Sequence, residues 1–201
     1  MSSPTFPAFI MSVLKDDIKS MDLTIIVENQ GNVEEIKMIR SVMAASSPIF
    51  KTMLEGNFKE GKSNKIEFSG VLPETVKRFI LYCFTGTMMH IESNVLAQNA
   101  DEVADLLNFL RQYQINMYLN ALENKISPLI NFTNVVPLYD AIVKYGCSPT
   151  IEKAAETKIL EGLTIKINKQ GTDPDGIKRM GDKLIHCDDR LNARILKLQL
   201  V

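Results

Sequence analysis

Histidine and cysteine are the side chains of this chain best suited to nucleophilic catalysis or metal binding. His186 and Cys187 are adjacent in sequence, and His90 lies far from both. Adjacent side chains point apart on a strand and do not face each other on a helix, so these residues do not form a natural pair. The chain also lacks the paired cysteines and histidines of a zinc finger and the Gly-Lys-Ser/Thr ending of a phosphate loop. We therefore expect no metal, no cofactor and no enzymatic activity.

The composition limits the class of partner and the compartment. The charges nearly cancel, with 23 Lys and Arg against 24 Asp and Glu, so nothing favours nucleic acid or an acidic membrane as a partner. Cys83, Cys147 and Cys187 are odd in number and never form a Cys-x-x-Cys pair, which indicates buried thiols in a reducing compartment. Neither a basic leader nor an apolar stretch of roughly 20 residues is present. We expect an intracellular protein, cytoplasmic or nuclear.

A short segment, residues 40–50, carries the clearest structural signal. Ala44 and Ala45 have almost no side chain, so a helix that contains them can pack tightly against another element. In Ser46-Ser47-Pro48, a serine can accept hydrogen bonds from the free N–H groups of the next helix, and Pro48 suits its first turn. The segment therefore predicts two short, closely packed helices.

The remaining pattern predicts a small sheet among many helices. Strands are expected at Leu23–Val27, Glu35–Ile39 and Lys65–Phe68, with a turn at 29–32. Helices are expected at 8–19, 42–45, 48–54, 73–85, 94–125, 134–145 and 149–160. A polar loop should cover 56–64, Thr133 could cap the helix from 134, and Gly146 should end it. Residues 166–181 suggest a linker or disorder, and 184–200 fit either strand or helix.

With these elements in this order, the chain resembles the BTB/POZ domain. The resemblance rests on Asp22 at the first strand, Arg40-x-Val-Met-Ala-Ala-Ser-Ser-Pro, Ile66-x-Phe68, Val71-x-Pro73 and Tyr82-x-Phe84-Thr85-Gly86. It implies an α+β fold, with a small sheet flanked by helical hairpins. Speckle-type POZ and kelch-type adaptor proteins have the most similar version of the segment 42–60.

The resemblance also implies a division of the chain. Residues 1–12 would be a leader, 13–126 the BTB/POZ domain, and 127–163 a helical extension similar to the start of a BACK domain. The tail, 164–201, has no assigned structure. The chain departs from the family where Ile39 replaces a histidine and Phe84 a tyrosine, and where the hairpin is lengthened around 30–34.

Two sets of residues are implied to lie near a dimer interface. In BTB proteins of this kind the first helix commonly crosses the two-fold axis, where its apolar face is used by both subunits. Here that face would comprise Phe9, Val13, Leu14 and Ile18. Asp22 and Arg40 match a charged pocket close to this interface. The alternative, which we favour, is that Asp22 and Arg40 form a structural salt bridge.

The resemblance further implies a cullin-binding motif, an apolar residue, any residue and then glutamate, near the end of the second short helix. Met53-Leu54-Glu55 and Phe58-Lys59-Glu60 both fit it. The apolar side chain would fill a groove on the cullin, and the glutamate would form a contact at the rim. Three-residue patterns are common by chance, so Met53 could equally be a core residue and Glu55 a solvated one.

The expected function is protein–protein interaction. The leading hypothesis is a homodimeric adaptor, or one that pairs with other BTB proteins, linking an unknown substrate protein to a cullin-based ubiquitin ligase. The alternative is self-association in a transcriptional or structural assembly without ligase activity. The chain shows no kelch propeller or MATH sandwich pattern, so a substrate would be expected to bind the tail, the extension or the BTB surface.

Overall fold

The computed structural model describes residues 21–87, 93–146 and 148–170. The helix expected at 8–19, with Phe9, Val13, Leu14 and Ile18, lies outside these residues, as do His90, Cys147, His186, Cys187 and the tail from 171. The chain forms two compact units. Of the described residues, the first unit holds 21–87 and 112–118, and the second holds 93–111 and the remainder from 119.

A three-stranded sheet lies at the centre of the first unit. Strand β1 (Leu23–Asn29) pairs antiparallel with β2 (Asn32–Met38) and parallel with β3 (Lys65–Ser69), so the order is β2-β1-β3. Alternate residues of β1 and β3 are buried, since successive side chains point to opposite faces of a sheet. The buried set is Leu23, Ile25, Val27, Ile66 and Phe68. The three strands predicted from sequence are confirmed.

The β1–β2 hairpin is tighter than the sequence suggested. Asn29 pairs with Asn32, which leaves only Gln30 and Gly31 in the turn. Their φ values are +51° and +81°, the positive pair that matches the twist of a hairpin. The second strand therefore begins at Asn32 and not at Glu35. Residues beyond the turn lengthen the strand instead of forming a larger loop.

Within residues 21–87, four helices accompany the sheet: α1 (Arg40–Ser46), α2 (Pro48–Glu55), α3 (Lys59–Ser63) and α4 (Pro73–Thr85). The predicted cap between α1 and α2 is confirmed, because the Ser47 hydroxyl accepts hydrogen bonds from the N–H groups of Ile49 (3.0 Å) and Phe50 (3.3 Å). The predicted loop at 56–64 is wrong in part, since α3 occupies its centre.

An aromatic cluster fills the space between α2, β3 and the residues after 112. The Phe50 and Tyr113 rings stack with centroids 4.8 Å apart, and Phe68 meets Tyr113 edge-on at 5.3 Å. Phe79 of α4 lies 5.9 Å from Phe50. Such aromatic pairs add stability beyond the burial of their area. The cluster fixes α2 relative to the sheet and to the turn at 113–114.

The second unit is helical in its described part. Its helices, two of which continue into the first unit, are α5 (Ser93–Gln98), α6 (Ala100–Gln112), α7 (Asn116–Ile126), α8 (Val135–Tyr145) and α9 (Pro149–Gln170), with a 3₁₀ turn at Ser127–Leu129. Helix α8 packs against α5 and α9. Ala100 and Ala104 of α6 form a buried cluster with Ala141 of α8, where their small side chains allow a close approach. None of the helices described is both long and apolar enough to cross a membrane.

Four details of the helical part of the chain bear on the sequence predictions. The helical pattern predicted at 94–125 is confirmed and consists of three helices. Thr133 does not cap α8; instead Asn131 and Asn134 organise the preceding loop, with the Asn131 N–H donating to Asn134 Oδ1 at 2.9 Å. Gly146 ends α8 as predicted, with φ +77° and its N–H bonded to the Ile142 carbonyl. Helix α9 runs to Gln170, into the predicted linker.

We predict that Ser47→Ala lowers the free energy of unfolding by about 1–2 kcal/mol, since Ser47 is buried and its loss leaves two N–H groups of α2 unsatisfied. Chemical denaturation followed by circular dichroism measures the change. Thr52→Ala is the matched control, because the Thr52 hydroxyl lies on the same helix but is exposed and only donates to the Pro48 carbonyl. Equal midpoints for the two variants would contradict the role assigned to the cap.

Candidate protein-interaction site

The surface between α2 and α3, residues 48–64, holds all four residues of the two sequence motifs; we call it the α2–α3 corner. Met53 is half-buried on α2, and Glu55 is exposed at the end of that helix. Phe58 lies just before α3 and is 53% exposed, a large value for an aromatic side chain. Glu60 is half-buried in the first turn of α3. The structure therefore brings both motifs to one corner.

Met53 and Phe58 face the same surface hollow. It has a volume of about 290 Å³ and is lined by Pro48, Ile49, Thr52, Met53, Phe58 and Gln114. We call it the Met53–Phe58 hollow. Its lining is mostly apolar, and its polar members are Thr52 and Gln114. A shallow apolar surface with a few polar groups is suited to receiving a side chain of another protein.

Arg40 holds the α2–α3 corner closed. Its guanidinium donates hydrogen bonds to the carbonyl of Leu54 near the end of α2, to the carbonyl of Gly61 in α3 at 3.0 Å, and to the side-chain oxygen of Asn64. The last carbonyls of a helix have no partner within it, so a cation there supplies hydrogen-bond donors. Its charge also interacts favourably with the negative end of the helix dipole. The planar fork of arginine lets one side chain reach all three acceptors.

Glycines make this closure sterically possible. A Cβ on Gly61 would lie 2.5 Å from the Leu54 carbonyl oxygen and 3.0 Å from that of Gly56. A Cβ on Gly56 would lie 2.6 Å from the Thr52 carbonyl oxygen and 2.9 Å from the Phe58 ring. The distances of 2.5 Å and 2.6 Å to backbone oxygens are too short for real atoms. The backbone can therefore pack this closely at Gly56 and Gly61 only because glycine has no Cβ. The Phe58 ring lies over Gly56 for the same reason.

Asp22 and Arg40 meet, but through the main chain of the arginine. The Asp22 carboxylate accepts the backbone N–H of Arg40 at 2.8 Å, at the first residue of α1. A carboxylate at a helix N-terminus satisfies a free donor and interacts favourably with the helix dipole. The guanidinium is directed instead to the α2–α3 corner. The Asp22 and Arg40 side chains therefore form no ion pair, and the structural salt bridge favoured from the sequence is wrong in that respect; the charged pocket stays a prediction.

Among the charged residues of the α2–α3 corner, Lys59 forms an ion pair. Lys59 reaches the Glu67 carboxylate of β3, with nitrogen and oxygen 3.3 Å apart. Both side chains are largely exposed, so the pair contributes little to stability. Its effect is positional, because it draws the ammonium group of Lys59 toward the sheet. Neither Glu55 nor Glu60 forms an ion pair with another of the described residues.

A second hollow of about 570 Å³ lies beside α1 and contains the thiol of Cys83. It is lined by Ser41, Val42, Ala45, Ser46, Tyr82, Cys83, Gly86, Ile115 and Met117. Burial raises the pKa of Cys83 to about 12, against the opposing effect of a hydrogen bond with Ser46. The thiol is therefore protonated at neutral pH, a state that does not favour nucleophilic chemistry. Cys83 is a free thiol, as predicted, but it is half-buried and not fully buried.

The described residues contain no group of three or more His, Cys, Asp or Glu side chains placed to hold a metal ion.

Sequence reasoning missed two residues of this surface. Arg40 was assigned to a pair with Asp22, whereas its guanidinium holds the α2–α3 corner. Gln114 was assigned no role, and no local signal relates it to residues more than 50 positions earlier.

We predict that Arg40→Lys lowers the free energy of unfolding by about 2 kcal/mol, because one ammonium group cannot serve three separated acceptors. Urea denaturation provides the measurement. Arg111→Lys is the matched control, since Arg111 is exposed on α6. If both lysine variants unfold at the midpoint of the wild type, the guanidinium does not hold the α2–α3 corner.

Comparison with known proteins agrees with this architecture. The model of the BTB/POZ domain family matches residues 11–128, more than half of the chain. Kelch-like protein 38 of Mus musculus is 29% identical over 126 residues, which cover 62% of this chain and 20% of that protein. Kelch-like ECH-associated protein 1A of Danio rerio is 29% identical over 90 residues, 41% of this chain and 15% of that protein.

Among solved structures, the BTB (Tramtrack and Bric a brac) domain of human Gigaxonin is similar, with 21% identity and a TM-score of 0.44. The match covers 62% of this chain and 94% of that domain. The chain spans about a fifth or less of the length of the kelch-like relatives named above. Because the family model covers more than half of its residues, the chain belongs to the BTB/POZ domain family.

Proposed function

We propose that this protein is an intracellular dimeric adaptor that links a bound protein to a cullin-based ubiquitin ligase through the α2–α3 corner. The BTB/POZ domain is a protein-interaction domain, and kelch-like relatives support a cullin adaptor role in general. One observation carries the finer proposal. A large aromatic side chain, Phe58, is half exposed beside an apolar hollow, with a glutamate two residues later.

Phe58 is the better anchor of the two motif residues. Burying an exposed aromatic ring in a partner's groove removes a large apolar area from water, and such anchors dominate the energy of many interfaces. Met53 is already half-buried in the free protein, so binding would remove less of its apolar area from water. We assign Met53 to the floor of the hollow and Phe58 to the inserted side chain. If the partner contacted Met53 alone, the apolar ring of Phe58 would stay exposed to water.

The glutamates supply a polar rim to this surface. Charges at a rim chiefly affect the association rate and the choice of partner, because solvent screens them. Glu60 follows Phe58 by two residues and lies in the first turn of α3. Glu55 ends α2 on the other side of Gly56. A partner with a basic residue next to its apolar groove would match this arrangement.

We predict that Phe58→Ala weakens binding of the cullin N-terminal domain about thirtyfold or more, corresponding to about 2 kcal/mol for a central anchor. Isothermal titration calorimetry with the full chain measures the affinity. Phe132→Ala is the matched control: this phenylalanine is 51% exposed but lies in the second unit. We expect it to bind like the wild type.

A substitution at Phe58, unlike one at Met53, should change the affinity for the cullin domain without changing the stability of the fold. Met53→Asp would place a charge on a half-buried position and would lower stability as well as affinity. Phe58→Ala should leave the denaturation midpoint close to that of the wild type. Wild-type affinity in a folded Phe58→Ala variant would exclude this anchor. If the wild type itself does not bind the cullin domain, self-association without a ligase is the better account.

We further propose that two copies associate through the segment at 8–18. The support is its sequence, which places Phe9, Val13, Leu14 and Ile18 on one apolar face. Sedimentation equilibrium at micromolar concentration should give twice the chain mass. Deletion of residues before Lys15 should weaken the association and leave the helix content largely intact. A wild type that stays monomeric as its concentration rises would refute the dimer.

A further inference from the structure

Strand β2 is an edge of the three-stranded sheet. Among the described residues it pairs with β1 alone, and Asn29 and Asn32 close the two-residue turn between the two strands. The closing pair of such a turn is hydrogen-bonded, and the direction of the main-chain groups then alternates along an antiparallel strand. The N–H and carbonyl groups of Val33, Glu35 and Lys37 therefore point away from β1. All three residues are exposed.

The side chains on this free edge carry charges of opposite sign. Glu35 and Lys37 are two residues apart, so they lie on the same face of the sheet. Glu35 forms no ion pair with another of the described residues. Lys37 donates a hydrogen bond to the Thr24 hydroxyl at 2.7 Å, and its ammonium group has two further protons to donate. Both charged groups can therefore serve a partner strand.

We propose that β2 pairs antiparallel with β2 of a second copy of this chain, about a two-fold axis at Ile36. In this register Glu35 of each copy lies opposite Lys37 of the other, which forms two cross-strand ion pairs on one face. The outward main-chain groups of the same residues bond to each other, and the two sheets become one sheet of six strands. The contact is isologous, because both copies use the same surface. It goes beyond the proposed function and lies apart from the α2–α3 corner.

The main chain and the charges together select this register. An axis between two residues would set an outward-pointing residue opposite an inward-pointing one, so the axis must fall on a residue. An axis at Glu35 would oppose two carboxylates, and an axis at Lys37 would oppose two ammonium groups. Like charges directly opposite each other are destabilising. An axis at Glu34 would set Glu35 opposite Val33. Only the axis at Ile36 gives both charges an opposite partner.

Strand β3 carries the reverse pattern, Lys65-Ile66-Glu67, but it is less suited to this pairing. Glu67 already meets Lys59 of its own chain, with nitrogen and oxygen 3.3 Å apart. Helix α3 also contacts β3. Ile66 is fully buried, whereas Ile36 is only half-buried. An edge strand with free charges and a free main chain can add a strand from another molecule, and β2 fits that description better.

Cysteine cross-linking of the full chain tests the register. The two Ile36 residues would form the pair on the axis, with Cα atoms about 4.5 Å apart, a separation that a disulfide can span. Ile36→Cys should therefore give a covalent dimer on mild oxidation, measured by non-reducing electrophoresis against the oxidised wild type. Val33→Cys is the matched control on the same strand. Its position is 64% exposed, but its two copies would lie about 20 Å apart, so it should cross-link at least fivefold less.

Charge reversal in the Ile36→Cys background tests the ion pairs. Glu35→Lys and Lys37→Glu each oppose like charges, so each should lower the cross-linked yield about fivefold or more. An equimolar mixture of the two variants restores opposite charges, and its yield should recover. Lys65→Glu on β3 is the control and should leave the yield unchanged.

Three results would overturn the inference. They are equal cross-linking of Ile36→Cys and Val33→Cys, no recovery in the mixture, and a loss with Lys65→Glu equal to that with Lys37→Glu. Each would leave the proposed function standing, because no cullin takes part in the experiment. Cross-linking that is specific to Ile36→Cys and recovers in the mixture would support the pairing.

Discussion

The α2–α3 corner depends on one side chain, the guanidinium of Arg40. It supplies hydrogen-bond donors to carbonyls that end α2 and lie within α3, where the helices themselves offer none. A bond from a charged group contributes about 1.5–3 kcal/mol, and a half-buried carbonyl left without a donor is costly. The presence of Met53 and Phe58 at one hollow follows from this closure. The close approach at Gly61 is its steric counterpart.

Much of the fold could be predicted because its signals are local. β-Branched residues mark β1, alternation of apolar residues marks β3, and Ser47-Pro48 marks the start of α2. Helix α3 could not be predicted in this way. Its sequence, Lys-Glu-Gly-Lys-Ser, is polar and contains a glycine, so local propensity argues against a helix. Arg40, 19 residues before α3 begins, supplies the contact that compensates.

The same distinction explains the candidate site. The sequence alone identifies two apolar-x-glutamate patterns but does not distinguish an exposed anchor from a core residue. Exposure depends on packing: Leu54, the middle residue of the first motif, is buried, Met53 is half-buried, and Phe58 is exposed where its ring lies over Gly56. The position of Gln114 is harder still to predict, because its backbone is left-handed but the residue is not the glycine or asparagine that usually marks a left-handed turn.

The central claim is that the α2–α3 corner is the surface that binds a cullin. Hydrogen–deuterium exchange of the wild-type chain, with and without the cullin N-terminal domain, tests it without any substitution. Exchange reports local opening, so a bound surface becomes protected. The account predicts protection concentrated in peptides that cover residues 48–62 and 112–118. Protection confined to α8 and α9, or none at saturating cullin, would contradict it.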